Sequence, residues 1–208
     1  MSTPTEISNL ALANLGISKV IANLDTERSN ESVTCRQFYE TVRDAVLRDF
    51  AWPFASKQAP LGLVTDFTGV VSIPPPEWTY NYAYPSDCIR FGRILSGDRN
   101  DTRQSRVPVK FFYGASGRLI ACDMINAVAE YTMKVTDSSR FTPDFVIALS
   151  FRLSSYIAPR LTGGDPFKMG PNALKMYQME LTQARASAVN EDQPEEDPQA
   201  EGIRARDE

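Results

Sequence analysis

The 208 residues are enough for one domain with a sizeable core, or one domain carrying an insertion, and 42% hydrophobic content is that of an ordinary globular chain. The formal charge of -4 is uneven: residues 191–208 hold eight carboxylates and two arginines, a net of -6, which leaves about +2 on the first 190 residues. No clustered stripe of Lys and Arg marks a sequence-specific DNA reader, and the absence of histidine excludes Ser-His-Asp catalysis, most zinc sites and the commonest general base.

Cys35, Cys88 and Cys122 are well separated and odd in number, which predicts reduced, buried thiols in a chain made in the cytosol. MSTPTEISNLALANLG has neither a basic leader nor a long apolar run, so a soluble, non-secreted protein without a membrane span is expected.

The first helix is announced by Thr3-Pro4-Thr5-Glu6, a capping box with proline at the first helical position. Ile7, Leu10, Ala11, Asn14 and Leu15 follow at helical spacing, and Gly16 is placed to end the helix in a left-handed conformation. A connector over 17–24, apolar at Ile17, Val20, Ile21 and Leu24, is expected to pack against the helices.

The strongest helical period runs from Ser29 to Ala55. Cys35, Phe38, Val42, Ala45, Val46 and Phe50 form one stripe, while Arg36, Glu40, Arg43, Asp44 and Asp49 mostly lie off it. Burying Phe38, Val42, Val46 and Phe50 is worth roughly 6–12 kcal/mol as an upper bound. Ser29 and Asn30 are candidate caps, Asp44 and Arg48 are spaced for an ion pair, and Pro53 stops the helix near Ala51.

Between 55 and 140 the period shortens to two, and Gly and Pro become frequent. Trp78, Tyr80, Tyr82 and Tyr84 alternate with Thr79, Asn81 and Ala83, which predicts a strand with four aromatics on one face, after a turn or extended segment at Pro74–Pro76. Cys88–Leu95 reads as a strand with weaker alternation, and Ser96–Arg106 as a polar loop. Val107–Tyr113 and Arg118–Cys122 read as strands joined by a hairpin at Gly114–Gly117, and Ala127–Val135 as a further strand.

Thr142-Pro143 opens a third helix with Phe145, Leu149, Leu153, Tyr156 and Ile157 on its stripe, Ala148 and Arg152 beside it, and an end near Leu161. Pro171 opens a fourth, carrying Leu174, Tyr177, Leu181, Ala184 and Ala188. The Glu-, Asp- and Pro-rich stretch over 191–208 predicts disorder in the free protein. The expected class is therefore α+β: an antiparallel bundle of about four helices (1–55 and 141–190), an inserted small antiparallel β domain (56–140) and an acidic C-terminal arm (191–208).

Candidate chemistry is sparse. Glu40 with Asp44 is a carboxylate pair on one helix face, but surrounding arginines favour a solvated surface. No nucleotide-binding glycine motif or nucleophile motif occurs, so no catalytic residue, cofactor or metal is expected. The Trp78–Tyr84 face is read as core before a stacking platform. Arg99, Arg103 and Arg106 form a possible partner-facing or DNA-facing loop, diluted by Asp98 and Asp101. The acidic arm is either a solubility tail or a segment that orders on a partner, for which Ile203, next to Arg204 and Arg206, is a possible anchor.

Three stretches, EISNLALANLGI (6–17), CRQFYETVRDAVLRDFAWPFA (35–55) and WTYNYAYPSDCIR (78–90), occur in an order that resembles the phage head-to-tail adaptor family. The family is also called head completion or tail accessory protein and is similar to the tail tubular protein A of short-tailed phages; QARASAVNEDQ (183–193) fits the same pattern. The resemblance implies a helical bundle with an inserted β domain, a homo-oligomeric ring, typically twelve-fold, beneath the portal protein, and no catalysis. It further implies a virion protein at the head-to-tail interface, assembled in the host cytoplasm, that extends the DNA channel without sequence-specific binding and offers a platform to the next tail or nozzle protein. A portal-docking C-terminal arm is implied too, here 190–208 with Ile203, Arg204 and Arg206. Two readings stand beside it: a tail-associated cell-wall hydrolase using Glu40 or Glu130, and a DNA-end-binding module using Arg99, Arg103 and Arg106.

Overall fold

The computed structural model describes residues 2–64, 75, 77–98, 105–114 and 117–191. Helix α1 spans Pro4–Asn14 with the capping box formed: Thr3 N–H donates to Glu6 Oε2 at 2.8 Å and Glu6 N–H to Thr3 Oγ1 at 3.2 Å. Gly16 sits at φ +71°, the left-handed stop expected of it. Ile7, Ala11 and Leu15 are buried, but Leu10 is exposed and Leu12 takes its place in the core. The face is set by what covers it, here helix α3 (Pro143–Leu161) and the returning connector. Asn9 pins that connector, accepting from Ile21 N–H at 2.8 Å and donating to Ile21 C=O at 2.9 Å. Ile21 and Leu24 are consequently buried, whereas Val20, expected to pack, is 72% exposed.

Helix α2 spans Asn30–Asp49, and Ser29 is its N-cap, accepting from Ser32 N–H. Its buried face carries Cys35, Tyr39, Val42, Val46 and Leu47, with Phe38, Ala45 and Phe50 half-buried at the flank. Arg43, placed off the stripe by periodicity, is 3% exposed, because its guanidinium lies on the neighbouring Asp44 carboxylate at 2.8–2.9 Å. Asp44 therefore pairs with Arg43 and Lys134 in place of the expected Arg48.

A 3-10 turn at Pro53–Ala55 follows, and Trp52 closes the seam to α3 (Pro143–Leu161). Trp52 Nε1–H donates to Val46 C=O at 2.9 Å, and its ring stands edge-on to Phe50 and Phe145 at 5.1 and 5.0 Å. Helix α3 is the bundle's axle, packed on α1, α2 and α4 (Met169–Glu191). Thr142 occupies its N-cap position without a side-chain capping bond, and Tyr156, expected on the stripe, is exposed beside Phe38. Ser154 Oγ–H shares its proton between Ala11 C=O and Ser150 C=O, tying α1 to α3. Helix α4 spans Met169–Glu191, beginning two residues before Pro171, with Asp165 accepting from Met169 and Gly170 N–H groups.

The β region forms two three-stranded antiparallel sheets. β1 (Ser56–Pro60), β6 (Val128–Met133) and β3 (Cys88–Ile94) pair in the order β1-β6-β3. β2 (Tyr80–Ala83), β5 (Gly117–Cys122) and β4 (Lys110–Gly114) pair as β2-β5-β4, with Gly114 opposite Gly117 at the expected hairpin. The chain enters on β1 and leaves on its neighbour β6, Ser56 facing Thr132, so the insertion departs from the bundle and returns to it side by side. The expected aromatic strand contracts to β2: Trp78 and Tyr84 lie outside it, and Tyr80 and Tyr82 share one side at 6.4 Å. Tyr82 is fully buried with Leu61, Ile94, Ile120, Cys122, Ala129 and Tyr131 in a second core, which bears out the core role read for that residue.

Candidate functional site

A groove of about 350 Å³ lies on the outer face of the β1-β6-β3 sheet, lined by Arg90, Arg93, Arg106, Glu130, Thr132 and Ser56, with Ala51 from the end of α2 at its side. In an unbroken strand Arg90 and Arg93, three residues apart, point to opposite faces. Here the register shifts between Phe91 and Arg93: Phe91 opposes Tyr131 and Ile94 opposes Ala129 on the core side, while Arg90 opposes Thr132 and Arg93 opposes Glu130. The irregularity at Gly92 thus puts both arginines on the groove side. Glycine is needed there, since a β-carbon at 92 would come within 2.7 Å of the Glu130 carbonyl oxygen.

Arg93 Nε–H donates to Glu130 Oε2 at 2.7 Å. Arg90 and Arg106 are exposed and make no ion pair or hydrogen bond among the described residues. Three guanidinium groups against one carboxylate give the lining a surplus of positive charge. Beyond the sheet's edge, Lys57 Nζ–H donates to Asp87 Oδ2 at 2.7 Å and Tyr131 O–H to Asp87 Oδ1 at 2.9 Å. The Lys57 hydrogen bond, helped by Tyr131, holds the Asp87 carboxyl below its ordinary range.

Of the arginines read as a possible partner-facing loop, Arg106 lines the groove, while Arg99 and Arg103 lie outside the described residues. Ile203, Arg204, Arg206 and the arm beyond Glu191 lie outside them as well, as do Pro74, Pro76 and the hairpin residues Ala115 and Ser116. Glu40 and Asp44 do not stand as a free pair, because Asp44 is engaged by Arg43 and Lys134. Glu130 is likewise engaged by Arg93. Cys35, Cys88 and Cys122 are free thiols; burial pushes Cys35 up to about 12 and raises the other two. None is poised as a thiolate nucleophile.

Periodicity did not single out Arg90 and Arg93. The signal was present in CIRFGRIL, where a lone glycine separates two apolar residues three apart, as a bulge demands.

Two further surfaces are apolar and exposed. On the β4–β5 hairpin Tyr113 is 81% exposed, and Phe111 stands edge-on to Tyr84 and Phe91 with the Arg118 guanidinium 4.2 Å from the Tyr84 ring centre. On the bundle, Phe167 in the α3–α4 turn is 80% exposed and Met179 of α4 is 56% exposed. Among the described residues no helix is long and apolar enough to cross a membrane. No family model matches the chain, and no curated protein matches it.

Proposed function

We propose that the chain is a structural head-to-tail connector of a tailed bacteriophage virion: one subunit of a ring that seats on the portal, extends the DNA channel and receives the next tail protein. The order of the three resembling stretches motivates this reading. The structural observation that carries it is the exposure of large apolar side chains on separate elements, Tyr113 and Phe111 on the β hairpin and Phe167 in the α3–α4 turn of the bundle. Subunits of a cyclic ring larger than a dimer meet head to tail, so each must carry two different contact surfaces. Large apolar side chains left in solvent on separate elements suit such surfaces.

The test uses Y113D and F167D with an isolated portal ring. Each variant should fold as a monomer yet fail to build a ring on the portal, while a mixture of the two retains one intact contact per pair and yields dimers. Both variants assembling as wild type would contradict the proposal.

A second reading is favoured by the groove, which gathers Arg106 with Arg90 and Arg93 into one basic surface for duplex phosphates. It predicts salt-sensitive binding of linear duplex that R90A/R106A removes. No observation favours the cell-wall hydrolase.

A further inference from the structure

Helices α3 and α4 leave a cleft of about 430 Å³ near the turn that joins them, lined by Arg152, Tyr156, Pro159, Asp165, Pro171 and Leu174. Two of these side chains are charged, and only one of them is already engaged. Asp165 is committed to the start of α4: its two carboxylate oxygens accept from the backbone N–H groups of Met169 at 2.6 Å and Gly170 at 2.7 Å. The charge left over in the cleft is that of Arg152.

Arg152 is half-buried, and two aromatic rings hold it: its guanidinium carbon lies 5.4 Å from the centre of the Tyr156 ring and 5.1 Å from that of Tyr177. Among the described residues the guanidinium makes no ion pair or hydrogen bond, and its Nε–H is buried without an acceptor. Asp49, which accepts from the Tyr177 hydroxyl at 2.7 Å, does not reach it. A guanidinium withdrawn in part from water and left without counter-charge is costly, and a carboxylate laid against it offsets that cost. Nε is the nitrogen shut off from solvent, so the two Nη groups are the ones offered to a ligand. The Ser155 hydroxyl turns to its own helix, donating to the Arg152 carbonyl at 2.7 Å, and the rest of the lining is apolar.

We infer that this cleft is a binding site for a carboxylate carried on an apolar body. The carboxylate takes the two Nη groups of Arg152 in a two-point contact, and the body lies on Pro159, Pro171 and Leu174. A free small acid and the C-terminal residue of a polypeptide share this chemistry. The site shares no residue with the arginine groove and does not depend on the connector proposal.

The experiment titrates the isotope-labelled full-length protein with hydrocinnamate, its neutral amide, acetate and N-acetylphenylalanine. It follows by NMR the Arg152 Nε–H resonance, assigned by its loss in R152Q. Hydrocinnamate should move that resonance and bind about tenfold or more tightly than either the amide, which lacks the charge, or acetate, which lacks the apolar body. R152Q, whose fold is checked by circular dichroism, should lose the preference for acid over amide, read on the Gly170 backbone resonance. Binding of N-acetylphenylalanine as well supports the inference with a polypeptide C-terminus as the source, and binding of hydrocinnamate alone supports it with a small acid. An Arg152 resonance that neither acid moves, equal affinity for acid and amide, acetate as tight as hydrocinnamate, or an unchanged preference in R152Q overturns it.

Discussion

An alanine at position 92 would press its β-carbon into the carbonyl of Glu130, a backbone atom that cannot swing aside. G92A should therefore cost about 1–3 kcal/mol, as overpacking does, read as a lower urea midpoint at unchanged slope. Tyr177 makes the opposite kind of contact. Its hydroxyl donates to Asp49 Oδ2 at 2.7 Å, so Y177F should lose about 1–2 kcal/mol at neutral pH. Burial, and then the Asp49 carboxylate, raise the Tyr177 phenol. A raised acid favours the folded state fully below its unfolded pKa of about 10 and loses that stabilisation as pH climbs through the folded value. Wild type should accordingly destabilise above pH about 10 more steeply than Y177F, which denaturation at a series of alkaline pH values measures.

At the scale of elements, α3 holds the bundle together: Leu149, Leu153 and Ile157 are fully buried, and the other three helices all meet it. L153A should cost roughly 2–5 kcal/mol by cavity formation, more than any change on the exposed face of α4, in thermal or denaturant unfolding. All four helices were legible because capping residues and a 3.6 period mark them: Thr3, Ser29 and Pro143 stand where expected. The rotation of each stripe was less so. Leu12 displaces Leu10 and Leu47 joins α2's buried face because the facing elements, not the helix's own sequence, decide which flank is covered. β1 was missed for a related reason. SKQAP has no alternation of its own and is a strand by pairing with β6. The arginine groove was half legible, through Arg106; Arg90 and Arg93 converge only through a bulge, which shifts their facing by one residue.

Across the whole molecule, charge and apolar surface are separated. The described residues present a basic groove on one sheet and exposed aromatic or Met side chains on the hairpin and the bundle, while residues 191–208 carry a net charge of -6. Under the connector proposal, the exposed apolar side chains are the surfaces through which copies would meet. Since Tyr113 and Phe167 already stand in solvent, Y113D and F167D should shift folding stability by no more than about 0.5 kcal/mol while abolishing assembly, which separates the two roles in one pair of measurements. The most direct test of the connector proposal is the native mass of an isolated portal ring after mixing with the purified chain. It should rise by one complete ring of 23.2 kDa subunits, with no partial rings at saturation. A portal mass that does not change at any protein concentration would contradict it.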